Sequence, residues 1–137
     1  MHRVITESDL EQLADEISQE LPLGSNLYLS GELGAGKTTF TRALLKKLGS
    51  TTAATSPTFA LLNYHATADD QPIIHADLYR LSSADDVFSL NLLEALEDPA
   101  TTVIVEWPEK GFPVLPAPTL HLHLSHHTPE TRVISRL

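Results

Sequence analysis

Gly31-Glu32-Leu33-Gly34-Ala35-Gly36-Lys37-Thr38 satisfies the pattern G-x-x-x-x-G-K-[ST] at every position. Each fixed residue has a chemical reason. Glycines let the main chain curl until successive N–H groups point inward at an anion. A helix opening near Lys37 adds the positive end of its dipole. Lys37 is expected to reach the β- and γ-phosphates of a nucleotide, and the Thr38 hydroxyl to ligate magnesium. The backbone of Glu32, Leu33, Gly34, Ala35, Gly36, Lys37, Thr38 and Thr39 forms the expected nucleotide cradle.

The flanks suit such a loop. Residues 26–30 (NLYLS) read as a buried strand. After the loop, Phe40, Ala43, Leu44 and Leu48 share one helical face, with Lys46 and Lys47 in the last turn and Gly49 just beyond it. Upstream, Leu10, Leu13, Ala14, Ile17 and Leu21 fall at helical spacing behind Thr6-Glu7-Ser8-Asp9, a capping-box pattern with Asp in the place of Glu. Downstream, 59–65 and 72–77 read as strands joined by a polar turn at Asp69-Asp70. Residues 83–98 read as a helix capped by Ser82 or Ser83, and 101–107 as an apolar strand. Residues 108–118 carry four prolines and read as a constrained loop. The alternating runs 120–125 and 132–137 read as a closing antiparallel hairpin. Helices alternating with apolar strands imply an α/β sheet covered on both faces, in one domain spanning 1–137.

Composition narrows the function. The chain has 137 residues, 42% of them hydrophobic, and no cysteine, so disulfides and cysteine-ligated metal centres are excluded. No apolar run approaches membrane-spanning length, and the N-terminus lacks the pattern of a secretory leader, so a cytoplasmic protein is expected. Nine Lys and Arg stand against eighteen Asp and Glu, for a net charge of −9, which argues against a surface that wraps DNA or RNA.

Magnesium at such a loop needs a second anchor, usually an acid ending a buried strand. Glu106 ends Val103-Ile104-Val105, and Asp77 ends Ile73-Ile74-His75-Ala76. Glu106 is the preferred metal ligand beside Thr38, because its strand is the more uniformly apolar. Asp77 then acts through water or orients the attacking water. The sequence alone leaves the two roles interchangeable.

Four segments, GELGAGKTT at 31–39, SPTF at 56–59, HADLYR at 75–80 and EWPE at 106–109, occur in the order seen in one family. Together they make the chain resemble TsaE (also called YjeE), the bacterial ATPase of tRNA threonylcarbamoyladenosine biosynthesis, over nearly its whole length. The resemblance implies a P-loop NTPase-like three-layer sandwich with a mostly parallel central sheet. It implies binding and slow hydrolysis of ATP with Mg2+. It also implies assembly with the TsaB and TsaD proteins, which transfer the threonylcarbamoyl group and bring tRNA indirectly; no DNA or membrane partner is expected. Carried over residue by residue, Lys37 and Thr38 match the loop lysine and the magnesium-binding threonine. Thr58 falls in a switch-like loop near the γ-phosphate, and Asp77 and Glu106 match the family's acids. Trp107 follows at the site edge. Ala60 stands where a second threonine is common.

Other readings are weaker. A small metabolite or nucleoside kinase needs an arginine-bearing lid, and the five arginines, at 3, 42, 80, 132 and 136, form no such insertion. A GTPase reads guanine through N-K-x-D, and none of Asn26, Asn63 or Asn91 is followed by lysine. A nucleotide sensor whose loop at 56–59 controls docking overlaps the family reading. Read alone, Trp107 is a packing residue, Tyr79 packs or contacts a partner, and Arg80 pairs equally well with a surface acid or a phosphate. His121 and His123 share one strand face without a third ligand at recognisable spacing, so a solvated strand is the better account.

Overall fold

The computed structural model describes residues 2–51 and 61–137. Thr58, and with it the SPTF segment, lies outside the described residues. In chain order the elements are β1 (His2–Thr6), α1 (Asp9–Glu20), β2 (Asn26–Gly31), α2 (Lys37–Lys47), β3 (Leu62–Ala66), β4 (Pro72–Asp77), a 3-10 turn (Ala84–Ser89), α3 (Leu92–Glu97), β5 (Thr102–Glu106), a second 3-10 turn (Pro108–Lys110), β6 (Leu120–Thr128) and β7 (Thr131–Arg136).

Among the described residues the strands form one seven-stranded sheet in the order β1-β7-β6-β2-β5-β4-β3. The expectation of a mostly parallel sheet needs correcting. The pairings β6–β2, β2–β5 and β5–β4 are parallel, while β1–β7, β7–β6 and β4–β3 are antiparallel. Short turns join β3 to β4 and β6 to β7, and a short turn forces antiparallel pairing. The parallel part is therefore the centre, where every residue of β5 is buried and β2 is buried beyond its first residue. Uniformly apolar runs are what a strand covered on both faces requires.

Alternation along the strands sorts the core onto two faces. Leu27, Leu29, Ile104, Leu122 and Leu124 pack with Leu13, Ile17, Phe40 and Leu44 of α1 and α2. Tyr28, Ala76, Val103 and Val105 pack on the other face with Val87, Leu92 and Leu96.

Three local readings change. β1 was not expected; it pairs with β7 from the far end of the chain, and Ile5 is its buried residue. The continuous helix over 83–98 is broken. Ser83 caps a 3-10 turn, with a reciprocal bond from its own N–H to Asp86, and Asn91 then turns left-handed at φ 58° before α3. On an unbroken α-helix, Val87 and Leu92 would lie about 140° apart. The break lets both face the sheet, where each is fully buried. Ahead of α1, half of the capping box forms: the Thr6 N–H donates to Asp9 Oδ2 at 2.9 Å, and the helix begins only at Asp9. No helix among the described residues is long and apolar enough to cross a membrane.

Candidate functional site

The parallel centre brings the site together. Register places Leu29 of β2 and Asp77 of β4 opposite Glu106 of β5, so β4 and β5 end at one level and β2 runs two residues past it. Open α/β sheets bind ligands at such carboxyl ends. There β2 runs into the glycine-rich turn, and α2 opens at Lys37 behind Gly36, which is left-handed at φ 103°. The first N–H groups of α2 lack carbonyl partners one turn earlier and so offer an anion site.

Lys37 is only 5% exposed. Its Nζ donates to the Gly31 and Glu32 carbonyls, both at 2.7 Å, and lies 4.4 Å from the centre of the Trp107 ring. Burial pulls its ammonium below the usual lysine range, and Glu106, Glu109, Asp77 and Glu32 oppose that pull. The lysine is thus held against its own loop by two carbonyls and an aromatic face.

Across the turn, the Thr38 Oγ1 hydroxyl donates to Glu106 Oε1 at 3.3 Å. The other oxygen of the same carboxylate, Oε2, lies 2.5 Å from His75 Nε2. Asp77 Oδ1 accepts from the Tyr79 N–H at 3.0 Å. Burial raises the Asp77 carboxyl above its usual range; the Tyr79 N–H opposes the rise and the Glu106 charge adds to it. Trp107 adopts a left-handed turn at φ 58°, donates its N–H to Leu29 O at 3.1 Å, and packs its ring 4.9 Å from that of Tyr79.

Leu33, Gly34, Gly36, Lys37, Thr38, Thr39, Asp77 and Glu106 line one cavity of about 240 Å³, together with Tyr79 and Trp107. Two predicted cradle residues take part differently. Glu32 turns its side chain to solvent and gives its carbonyl to Lys37, and Ala35 is fully buried. Oxygen donors of this kind, a hydroxyl and a carboxylate 3.3 Å apart, suit a hard cation such as magnesium.

A larger cavity, about 480 Å³, opens on the other side of the same turn, between Gly34–Gly36 and Thr39 on one wall and Thr6, Ser8, Leu10, Pro129 and Arg132 on the other. Lys37, Asp77 and Glu106 converge in the smaller cavity, while Glu7, Glu130 and Arg132 carry the charge of the larger one. The walls of the larger cavity come from opposite ends of the chain, so no local motif announces them. His75 was legible as part of HADLYR but carried no role. Two histidines of β6 also differ from the solvated reading, while His126 and His127 are exposed: His121 Nε2 and His123 Nδ1 lie 3.0 and 2.8 Å from the buried Ser30 Oγ, and both rings are half-buried.

A mixed α/β sheet with a lysine-bearing glycine turn facing two strand-end acids defines the class of this protein. The comparisons narrow it. The family model described as "Threonylcarbamoyl adenosine biosynthesis protein TsaE" matches residues 4–134. The chain belongs to the TsaE family, which functions in tRNA threonylcarbamoyladenosine biosynthesis. It is 38% identical over 124 residues to the tRNA threonylcarbamoyladenosine biosynthesis protein TsaE of Streptomyces coelicolor, covering 89% of this chain and 82% of that one. It is 41% identical over 110 residues to the protein of the same name from Aquifex aeolicus, covering 79% and 76%. In fold it is similar to Bacillus subtilis YdiB, with a TM-score of 0.72 at 24% identity over 99% of this chain and 83% of that one.

Proposed function

We propose that this chain is the ATP-binding, slowly ATP-hydrolysing subunit of the tRNA threonylcarbamoyladenosine machinery, acting in the cytoplasm with TsaB and TsaD and meeting tRNA through that assembly. The observation that carries the nucleotide reading is the convergence of buried Lys37, the Thr38 hydroxyl and the buried Glu106 carboxylate at the mouth of α2.

In this P-loop NTPase-like reading, the N–H groups of 32–38 and the Lys37 ammonium bind the β- and γ-phosphates. Lys37 exchanges its two loop carbonyls for phosphate oxygens. Thr38 and Glu106 hold Mg2+, which supplies neutralising charge to the triphosphate. Asp77 and, by the family resemblance, Thr58 orient the attacking water or the γ-phosphate. The Glu106 assignment is favoured over Asp77 because Oε1 of Glu106 faces Thr38, whereas Asp77 Oδ1 is engaged by the Tyr79 N–H. The nucleoside end occupies the larger cavity, whose size falls within the roughly 300–1,000 Å³ common for small-ligand pockets. There Leu10 and Pro129 offer apolar walls, and Arg132 a cation beside the acids Glu7 and Glu130.

The test is a calorimetric titration of the chain with ATP and magnesium chloride, followed by retention on immobilised TsaB–TsaD with and without both. Saturable ATP binding and nucleotide-dependent retention are expected. No detectable ATP binding would refute the nucleotide reading, and no retention under any condition would refute the partnership.

A further inference from the structure

Glu106 is gripped from two sides. On the pocket side, Oε1 receives the Thr38 hydroxyl; on the inner side, Oε2 meets His75 Nε2. Both the His75 and Glu106 side chains are 2% exposed, so neither oxygen can fall back on bulk water for a partner. The meeting follows from register. Asp77 lies opposite Glu106 and His75 opposite Ile104, so His75 stands one pleat below Asp77 on the same face, beneath α2.

The remaining nitrogen of His75 is informative. Nδ1 is buried and has no hydrogen-bond partner among the described residues. Buried polar atoms are nearly always satisfied. A side chain kept only to fill this space would be better apolar, since leucine leaves no stranded nitrogen. The contact that accounts for a histidine here is the one to Glu106. A glutamate has three torsions, and a buried ligand presents one oxygen reproducibly only when the other is tied.

We infer that His75 is a positioning residue for Glu106: its Nε2–H holds Oε2, so that Oε1 faces Thr38 and the cation that accompanies the nucleotide. This inference rests on the nucleotide reading above. His75 touches neither nucleotide nor cation; it acts through Glu106.

The experiment compares the unaltered chain with His75→Leu, which keeps the bulk and loses the donor, and His75→Gln, whose amide can donate from a similar reach. Circular dichroism checks folding. ATP affinity is measured calorimetrically in EDTA and across a magnesium chloride series, with bound Mn2+ read by electron paramagnetic resonance. His75→Leu is expected to keep its ATP affinity in EDTA and to need about 10–100-fold more magnesium, the usual cost of losing a ligand's supporting partner. His75→Gln is expected to recover most of that loss. An unchanged magnesium requirement in a leucine variant that binds ATP overturns the inference and leaves the nucleotide reading standing. An unaltered chain that binds no ATP sinks both. If the leucine variant does not fold, nitrogen-15 spectra of the unaltered chain decide: a His75 Nε2–H tautomer whose proton signal moves on adding magnesium and ATP supports the role. An Nδ1–H tautomer, or no movement, overturns it.

Discussion

Gly31→Ala tests the joint between the sheet and the glycine-rich loop. Gly31 closes β2 opposite Leu124 of β6, at φ 143°. A Cβ there would stand 2.0 Å from the Leu124 carbonyl oxygen and 3.0 Å from its carbon, both backbone atoms that no rotamer change can move. The strained φ costs on the order of 1–3 kcal/mol. Forcing two paired strands apart adds about 1–3 kcal/mol. The sum, about 2–6 kcal/mol, is a large share of the roughly 5–15 kcal/mol that holds a domain together. At roughly 3–5 °C per kcal/mol for a chain of this size, a mid-range loss lowers Tm by about 12–20 °C. Gly34→Ala is the internal control. It shares a positive φ, 77°, but its Cβ would meet nothing within 4 Å. Strain alone then costs about 1–2 kcal/mol, or less than about 10 °C. Differential scanning calorimetry at one pH reads both variants. Equal shifts, or a Gly31→Ala protein melting within about 3 °C of the unaltered chain, would refute the argument that β6 crowds the loop.

Lys37→Met keeps most of the buried stem and removes the ammonium. ATP affinity is expected to fall at least about tenfold, the loss of about 1.4 kcal/mol or more of charge-assisted contact. Because Trp107 is the sole tryptophan, its emission should change when ATP draws Lys37 off the ring in the unaltered chain, and should change less at saturating ATP in the variant. An ATP titration of equal affinity in the two proteins would contradict the assignment. His121 gives a pH prediction. Burial, aided by His123, holds its imidazole below the usual 6.5, so the unfolded chain takes up the proton first. This group's contribution is therefore intact above pH 6.5 and is lost as pH falls below it. His121→Gln should lose less stability than the unaltered chain between pH 7.5 and 5, by urea unfolding; equal losses would show that His121 does not carry the effect.

How much of this was legible in the sequence depends on how local each signal is. The loop, its strand and its helix announce themselves, because the chemistry sits within a few residues of 31–38. Glu106 and Asp77 were readable as acids ending apolar runs, and β4 and β5 do set them side by side. Strand pairing was less legible. β1 has Ile5 buried and Val4 53% exposed, so its five residues carry almost no alternation, and its partner lies some 130 positions away. The break at Asn91 was hidden because the apolar spacing of 83–98 fits a helix approximately, while the sheet demands that Val87 and Leu92 face the same way. His75 was quoted as part of a motif, yet its contact with Glu106 spans 31 positions and exists only once β4 and β5 are in register.

β1 lies at the rim of the sheet with β7 as its neighbour, and the larger cavity takes one wall from Thr6–Leu10 and another from Pro129–Arg132. A ribosome therefore emits the first strand long before anything exists for it to pair with. Until residues 129–136 leave the exit tunnel, a nascent chain can carry a formed glycine turn while half of the larger cavity is missing. Order of synthesis thus delays closure of that cavity until β7 has emerged, and a chain stalled before residue 131 would be left with β1 unpaired and the cavity open.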